Sequence, residues 1–328
     1  MSLVLNGTTG ITNLPSINSG QIGGRRNIII NGAQEVDQRN AGASVAAAAV
    51  YVTDRWKVQS DGNAGDAEQI DSTIAGFKSS LKYTGDASIA WCQIGQQIEY
   101  KNYAHLVGKS VTISFYAKAN NTNGGSTALT VRTRTVTGED GSALFAASAT
   151  DTSVTISTTA ARYTVTRTIP ADSKGFSVEF ALGAHVDTDG YEITGIQLEL
   201  GTVTAFEHRG IGEELALCQR YYCKTYDYGI VPGTNAATDV NAKRGTVFVY
   251  RQRDTNYVAF SFFHPVAMRA VPTMTNYSHA GTSGKFTSST SDTTISTNAA
   301  LNGTKLSMAY GVGTADDAYG HFVCEAEL

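Results

Sequence analysis

Charge is scarce in this chain. Only 16% of its 328 residues are Asp, Glu, Lys or Arg, against roughly 25% in ordinary soluble domains. There is no basic excess: the formal net charge is −4. A surface that displaces counterions from phosphates is therefore missing, and nucleic acid is not an expected partner. Prolines number 5 and cysteines 4. No apolar run approaches the ~18 residues of a membrane helix. The longest soft stretch, Ala46–Tyr51, is short and mostly alanine, so no membrane insertion is expected. Met1–Gly10 lacks a basic segment and soon turns polar, which speaks against a secretory leader. Cys92, Cys218, Cys223 and Cys324 show no C-x-x-C metal spacing. Cys218 and Cys223 fall on one predicted helix, where a mutual bridge is not expected. Small buried thiols in a cytosol-made protein fit this usage.

Familiar catalytic signatures are also missing. Neither G-x-S-x-G nor H-E-x-x-H occurs. Gly108-Lys109-Ser110 resembles the end of a phosphate loop, but Tyr103 stands where the upstream glycine belongs and a strand pattern follows. The chain is therefore read as a non-enzyme without cofactors. Glu35, Asp37, Glu99, Glu192 and Glu199 could in principle supply a glycosidase carboxylate pair, but such a pair is defined by a separation of ~5–10 Å that sequence does not give.

What is present points one way. Hydrophobic residues make up 41%, glycines number 33 and tyrosines 16, with abundant Thr and Val. The apolar content excludes a disordered chain, and the glycines have no collagen period. β-Branched and aromatic side chains suit pleated sheets, so the expected class is all-β. Residues 1–26 form a polar arm. From 27 to 208 strands follow one another: Val111–Ala117 and Ala128–Val136 alternate with period two, and further strands are expected at Val154–Ile156, Tyr163–Ile169, Phe176–Leu182 and Tyr191–Leu200. This spacing predicts a jelly-roll β-sandwich. Residues 27–208 hold 13 Lys and Arg against 19 Asp and Glu, whereas 209–328 hold 10 of each.

Between Gly210 and Tyr226 the period changes. Ile211, Leu215, Cys218 and Tyr222 are spaced four, three and four apart, a seam on a short helix within 209–226. So short a helix must pack either on its own chain or against copies of itself. Strands return over 227–328 and predict a smaller C-terminal β-sandwich domain, with Gly281–Ala299 as a hairpin region or long loop.

Two kinds of side chain are candidates for binding. Sugar rings present apolar C–H faces, which exposed aromatics with polar tips can meet. Tyr226, Tyr228, Tyr257, Tyr277, Tyr310 and Tyr319, with His279, lie near turn residues of the C-terminal domain. Loops on a rigid β scaffold commonly carry such groups. Trp56 and Trp91 read as core residues. Asp187 and Asp189, around Gly190, are weak candidates for a divalent ion, since the rest of a calcium loop is missing and a β-turn with Asp and Gly in their usual places is the preferred reading.

Several motifs occur in a telling order. Asn27–Gly32, Gln38-Arg39 and Tyr51–Trp56 resemble the opening of carbohydrate-binding-module-like domains in bacteriophage tail fibres. Ile94–Glu99 followed by Leu106–Lys118 resembles the middle of such a domain, and Tyr191–Glu199 with Phe206–Arg209 its close. Gly212–Tyr222 resembles the helix joining it to a distal head, Phe263–Thr273 a turn of that head, and Leu5–Ile11 a virion-side peptide. The resemblance covers about residues 27–225. It implies a homotrimeric receptor-binding fibre: the arm on the phage tail, baseplate or an adaptor, the seam at the trimer axis, and the head on a host surface glycan. Such a protein would be assembled in the host cytoplasm and reside in the virion. Two alternatives are a tailspike depolymerase and the glycan-binding module of a cellular adhesin.

Overall fold

A computed structural model describes residues 25–86, 88–121, 123–146, 149–235, 246–251, 257–288, 291–293, 296–312 and 317–328, with a short antiparallel pair, β1 (Ser16–Ile17) and β2 (Gly20–Gln21). The rest of the expected arm lies outside the described residues. The chain then runs through β3 (Val45–Ala46), β4 (Ala48–Thr53), β5 (Trp56–Ser60), β6 (Asp66–Asp71), β7 (Ser79–Thr84) and β8 (Cys92–Ile98). One helical turn, α1 (Tyr100–Tyr103), precedes β9 (Ser110–Asn120), β10 (Ala128–Val136), β11 (Thr150–Thr155), β12 (Ala161–Thr168), β13 (Gly175–Leu182) and β14 (Gly190–Leu200). These strands build two antiparallel six-stranded sheets, ordered β11-β10-β13-β8-β5-β4 and β12-β9-β14-β7-β6-β3. The fold is the antiparallel β-sandwich that the alternation predicts.

The alternation places the core. On β9, Val111, Ile113, Phe115 and Ala117 are fully buried and pack against Val178 and Phe180 of β13 and Leu129 and Val131 of β10. On β14 the inward set changes phase, from Tyr191 and Ile193 to Ile196 and Leu198. One extra residue must enter the strand for this to happen. The register shifts between Thr194 and Gln197, and Gly195 sits there at φ 60°. A Cβ at Gly195 would come within 2.4 Å of the Phe77 ring, so both conformation and space demand glycine.

The helix α2 spans Ile211–Gln219. It is followed by β15 (Tyr222–Lys224), β16 (Val247–Arg251), β17 (Tyr257–Phe263), β18 (Thr273–Ser278), β19 (Phe286–Ser288), β20 (Ser291–Thr293), β21 (Ser296–Asn302), β22 (Leu306–Val312) and β23 (Asp317–Glu325). These nine strands join in one branched antiparallel sheet, with β23 pairing β15, β16, β18 and β19. The distal core is accordingly closed by one folded sheet instead of two separate ones, around Cys223, Met268, Phe286, Phe322 and Cys324. No cysteine is bridged; all four thiols are buried.

The seam residues divide. Leu215 and Cys218 pack with Ile30, Val36 and Tyr221 of their own chain. Tyr222 lies beyond the helix on β15 and is 4% exposed, while Ile211 is 55% exposed. The four do not form one stripe, because strand pairing to β23 claims the segment after Gln219.

The motifs noted in the sequence converge on the junction between sandwich, helix and distal sheet. Asn31 holds the first loop: its side-chain amide donates to the C=O of Val36 (2.7 Å) and Asp54 (2.9 Å), and its backbone C=O accepts from Trp56 Nε1 (3.0 Å). Arg39 lies over the rings of Tyr51 and Tyr222, 4.4 and 3.9 Å from their centroids, and pairs with Glu325 (3.0 Å) and Glu327 (2.9 Å). Arg55 stacks on Tyr221 at 3.6 Å and also pairs with Glu327. Glu99 takes Arg220 (2.6 Å) and the Tyr221 hydroxyl (2.8 Å). These groups clasp the end of the chain to the sandwich.

Candidate functional site

At one end of the sandwich, four segments enclose a pocket of about 720 Å³. Its walls are Asp61, Ser88–Ala90, Asn123–Ser126 and Ala184–Val186. Backbone bonds tie the walls together: Ile89 and His185 exchange N–H···O=C bonds (3.1 and 3.0 Å), Ser126 N–H donates to Ala184 C=O (3.2 Å), and Asp61 N–H donates to Trp91 C=O (2.9 Å). Asp189 anchors the loop from below, accepting the backbone N–H of Asn123 (2.9 Å) and Gly125 (2.7 Å). That approach needs glycine, since a Cβ at Gly125 would lie 2.6 Å from the Asp189 carboxylate.

The polar groups differ in availability. His185 Nδ1 lies 2.7 Å from Gly183 C=O and Nε2 3.2 Å from the Tyr83 hydroxyl, which itself donates to Ala64 C=O (3.2 Å). The imidazole is thus a wall, with both nitrogens engaged. Asp61, Ser88 and Asn123 are exposed, and Val186 is 40% exposed beside them. Trp91 follows the lining residue Ala90 and is half-buried, whereas Trp56 is fully buried. Trp91 is therefore not the core residue expected. The parity of β8 carries the signal: Cys92 and Ile94 point inward, so Trp91 and Gln93 take the other face.

The predicted aromatics separate into three groups. Tyr226, Tyr277, His279 and Tyr319 gather on one face of the distal sheet with His321, which the sequence reading missed. Tyr226 stacks on His321 (3.8 Å) and meets Tyr277 edge-on (6.1 Å), and His279 meets Tyr319 edge-on (5.2 Å). Tyr226 is only 4% exposed and serves packing; burial pushes its hydroxyl up to about 12. Tyr277, His279 and Tyr319 are half-buried. Tyr228 stands apart, accepting Asp37 N–H (2.9 Å) and donating to Glu35 C=O (3.0 Å). The side chains of Tyr257 and Tyr310 lie outside the described residues.

Four of the acidic candidates are held by protein donors. Asp37 accepts the backbone N–H groups of Arg39, Asn40 and Gly42. Glu192 accepts from Thr73 and pairs with Lys118 (3.3 Å). Glu199 accepts from Gln197 and Thr204. Burial raises the carboxyl of Glu99, but its hydrogen bonds from Arg220 and Tyr221 outweigh this and hold it below its ordinary value. The Asp187–Asp189 cation site is also corrected: Asp189 is 1% exposed with its oxygens engaged in the loop anchor, and Asp187 is exposed. Among the described residues no cluster of three metal-ligating side chains occurs.

The architecture defines an antiparallel β-sandwich joined to a branched distal sheet. No family model matches the sequence, and no curated protein matches it. Solved structures that share part of the architecture include the enzymatically active domain of tailspike protein 4 of bacteriophage CBA120. That likeness has 14% identity and a TM-score of 0.36, over 53% of this chain and 21% of the tailspike chain, so this protein spans about a fifth of that chain's length. TmCBM61, solved in complex with β-1,4-galactotriose, aligns at 12% identity and TM-score 0.35, over 54% of this chain and 100% of its own. The CBM22-1 xylan-binding domain of Paenibacillus barcinonensis Xyn10C aligns at 14% identity and TM-score 0.33, over 50% and 99%. Likenesses this distant decide nothing about ligand or activity.

Proposed function

We propose that this chain is a non-catalytic glycan-binding adhesion protein of the bacteriophage tail-fibre kind. The observation that carries the glycan reading is the loop-end pocket. It combines a hydrogen-bonded wall with exposed Asp61, Ser88 and Asn123, and the half-buried Trp91, next in the chain to the lining Ala90, accepts Asp61 N–H on its backbone C=O (2.9 Å). Polar groups on a fixed frame beside an aromatic ring are what a sugar, with hydroxyls around an apolar face, requires. The lining supports binding without hydrolysis, since it contains one carboxylate and glycoside cleavage uses two. Trp91→Ala is expected to weaken binding on a glycan array by roughly tenfold or more, with unchanged thermal stability. Unchanged binding would remove the pocket from the reading, and reducing-end release from the bound glycan would replace adhesion with depolymerisation.

The trimeric assembly belongs to the same proposal and rests on the sequence resemblance. With Leu215, Cys218 and Tyr222 packed in their own chain, a trimer would use other apolar surface; Leu200, Val203 and Ile211 are 50%, 42% and 55% exposed. Sedimentation at micromolar concentration is expected to give a trimer that Ile211→Asp weakens. A monomer would discard the fibre assembly and leave the pocket unaffected.

A further inference from the structure

One edge of the sandwich breaks its own rule. On β10 the inward positions continue from Leu129 and Val131 to Thr133 and Thr135, which pair with the buried Val178 and Phe176 of β13. On β12 the inward positions run from Val165 to Arg167, which pairs with the fully buried Val111 of β9. Three places that the strand period assigns to apolar residues thus hold two hydroxyls and a guanidinium. Together with Thr150, Thr166 and Pro170 they line a cleft of about 360 Å³ between the sheets. Departures from the packing pattern mark sites or strain, and this volume is within the range of small-molecule sites.

The groups in the cleft are poorly used by the protein. Arg167 reaches across the sandwich, donating from Nη2 to Val131 C=O (3.1 Å) and Thr150 C=O (3.5 Å) and from Nη1 to its neighbour Thr166 C=O (3.2 Å). Its Nε is buried with no hydrogen-bond partner. Among the described residues no ion pair to the guanidinium occurs; Asp151 pairs with Arg132 (3.2 Å) and acts on Arg167 only through space. Thr133 is 6% exposed. A buried donor without a partner is costly, and a cation hydrogen-bonded only to carbonyls has room for an anion.

We propose that this inter-sheet cleft is a second glycan subsite, selective for a carboxylate-bearing sugar. Arg167 would take the carboxylate, Thr133 and Thr135 the ring hydroxyls, and the exposed Pro170 the apolar face of the ring. Arginine suits this task because its planar fork matches a carboxylate. The inference rests on the glycan-binding reading but not on the loop-end pocket.

Calorimetric titration of the full chain with oligogalacturonate and with the same oligomer methyl-esterified tests it. The acid form is expected to bind at least tenfold more tightly than the ester. Arg167→Gln and Thr133→Val should each remove most of that preference, while Arg167→Lys keeps part of it and Trp91→Ala leaves it intact. Equal binding of acid and ester, or a preference that survives Arg167→Gln, overturns the proposal. So does competition by free sulfate or acetate as effective as the sugar, which would leave an anion site only. Should Arg167→Gln fail to fold, the half-buried Thr135→Val and the acid–ester comparison on the unaltered chain decide the matter. Neutral-glycan binding left unchanged by Trp91→Ala, with the acid preference retained, would overturn the pocket and not the cleft.

Discussion

Replacing Arg55 with Ala is expected to destabilise the protein by about 3–5 kcal/mol, the range for removing one partner of a buried ion pair. Arg55 is 2% exposed and Glu327 8%. The guanidinium bonds to Gln97 C=O, lies over Tyr221 and faces Glu327. Its loss would leave a carboxylate buried beside Arg39 alone and open a gap over an aromatic ring. The clasp also joins residues far apart in sequence, so the damage should extend to the distal sheet, with hydrogen exchange along β23 rising more than along β9. The paired change Arg55→Met with Glu327→Leu should recover much of the loss, because the charge is removed with its partner and an apolar pair fills the space. Equal destabilisation by the single and the double change would mean that packing, and not an orphaned charge, sets the cost. Denaturant midpoints of the three proteins give the answer.

The same clasp shows how far the sequence could be read. Strands were legible where burial is one-sided: Ala128–Val136 begins and ends where the alternation and flanking turns place it. Other strands were displaced by a residue or a few, as pairing extended them past the apolar run. The helix was legible in position but not in length. The four-three-four spacing continues to Tyr222, yet Tyr222 pairs with Glu325, a partner about a hundred residues away that no local pattern reveals. Glu99 looked like a candidate acid for the same reason, since Arg220 and Tyr221 reach it only through the fold. The loop-end pocket was hidden because its walls are backbone bonds between four short segments. The cleft at Arg167 was half visible: Val165 followed by Arg167 violates the inward parity of a strand, but the cleft needs β10 opposite it. Aromatic type found Tyr226, Tyr277, His279 and Tyr319 without separating packing from display, because exposure is a tertiary property.

A second large effect is expected from Asp54. Its carboxyl is 1% exposed; Oδ2 accepts from Gln38 Nε2 (2.7 Å), but Oδ1 has no hydrogen bond, with Arg39 Nε 3.7 Å away. Burial outweighs Arg39 and Gln38 and raises its pKa from 3.8 to about 6. A carboxyl with a raised folded value favours folding most at low pH. The stability it contributes is fully present below the unfolded value of 3.8 and is lost as pH rises through about 6. Glu99 and Glu192 act in the opposite sense, since their folded values are lowered and their contribution fades as pH falls through those values. The total pH profile therefore mixes signs, and the Asp54 contribution is isolated by comparison with Asp54→Asn, which keeps the Gln38 bond and removes the charge. At pH 7.5 Asp54→Asn is expected to stabilise the chain by about 1–3 kcal/mol. At pH 4 the two proteins should differ far less, because native Asp54 is then neutral as well. Urea midpoints at both pH values measure the difference. A gap that stays constant with pH would show that Asp54 is ionised in the folded chain throughout, held by Arg39 more strongly than burial opposes it. The pair would then belong with Arg55 and Glu327 as a clasp built on charge, whereas a gap that closes at low pH makes Asp54, like Asp37, a carboxyl at which burial outweighs the charged partners.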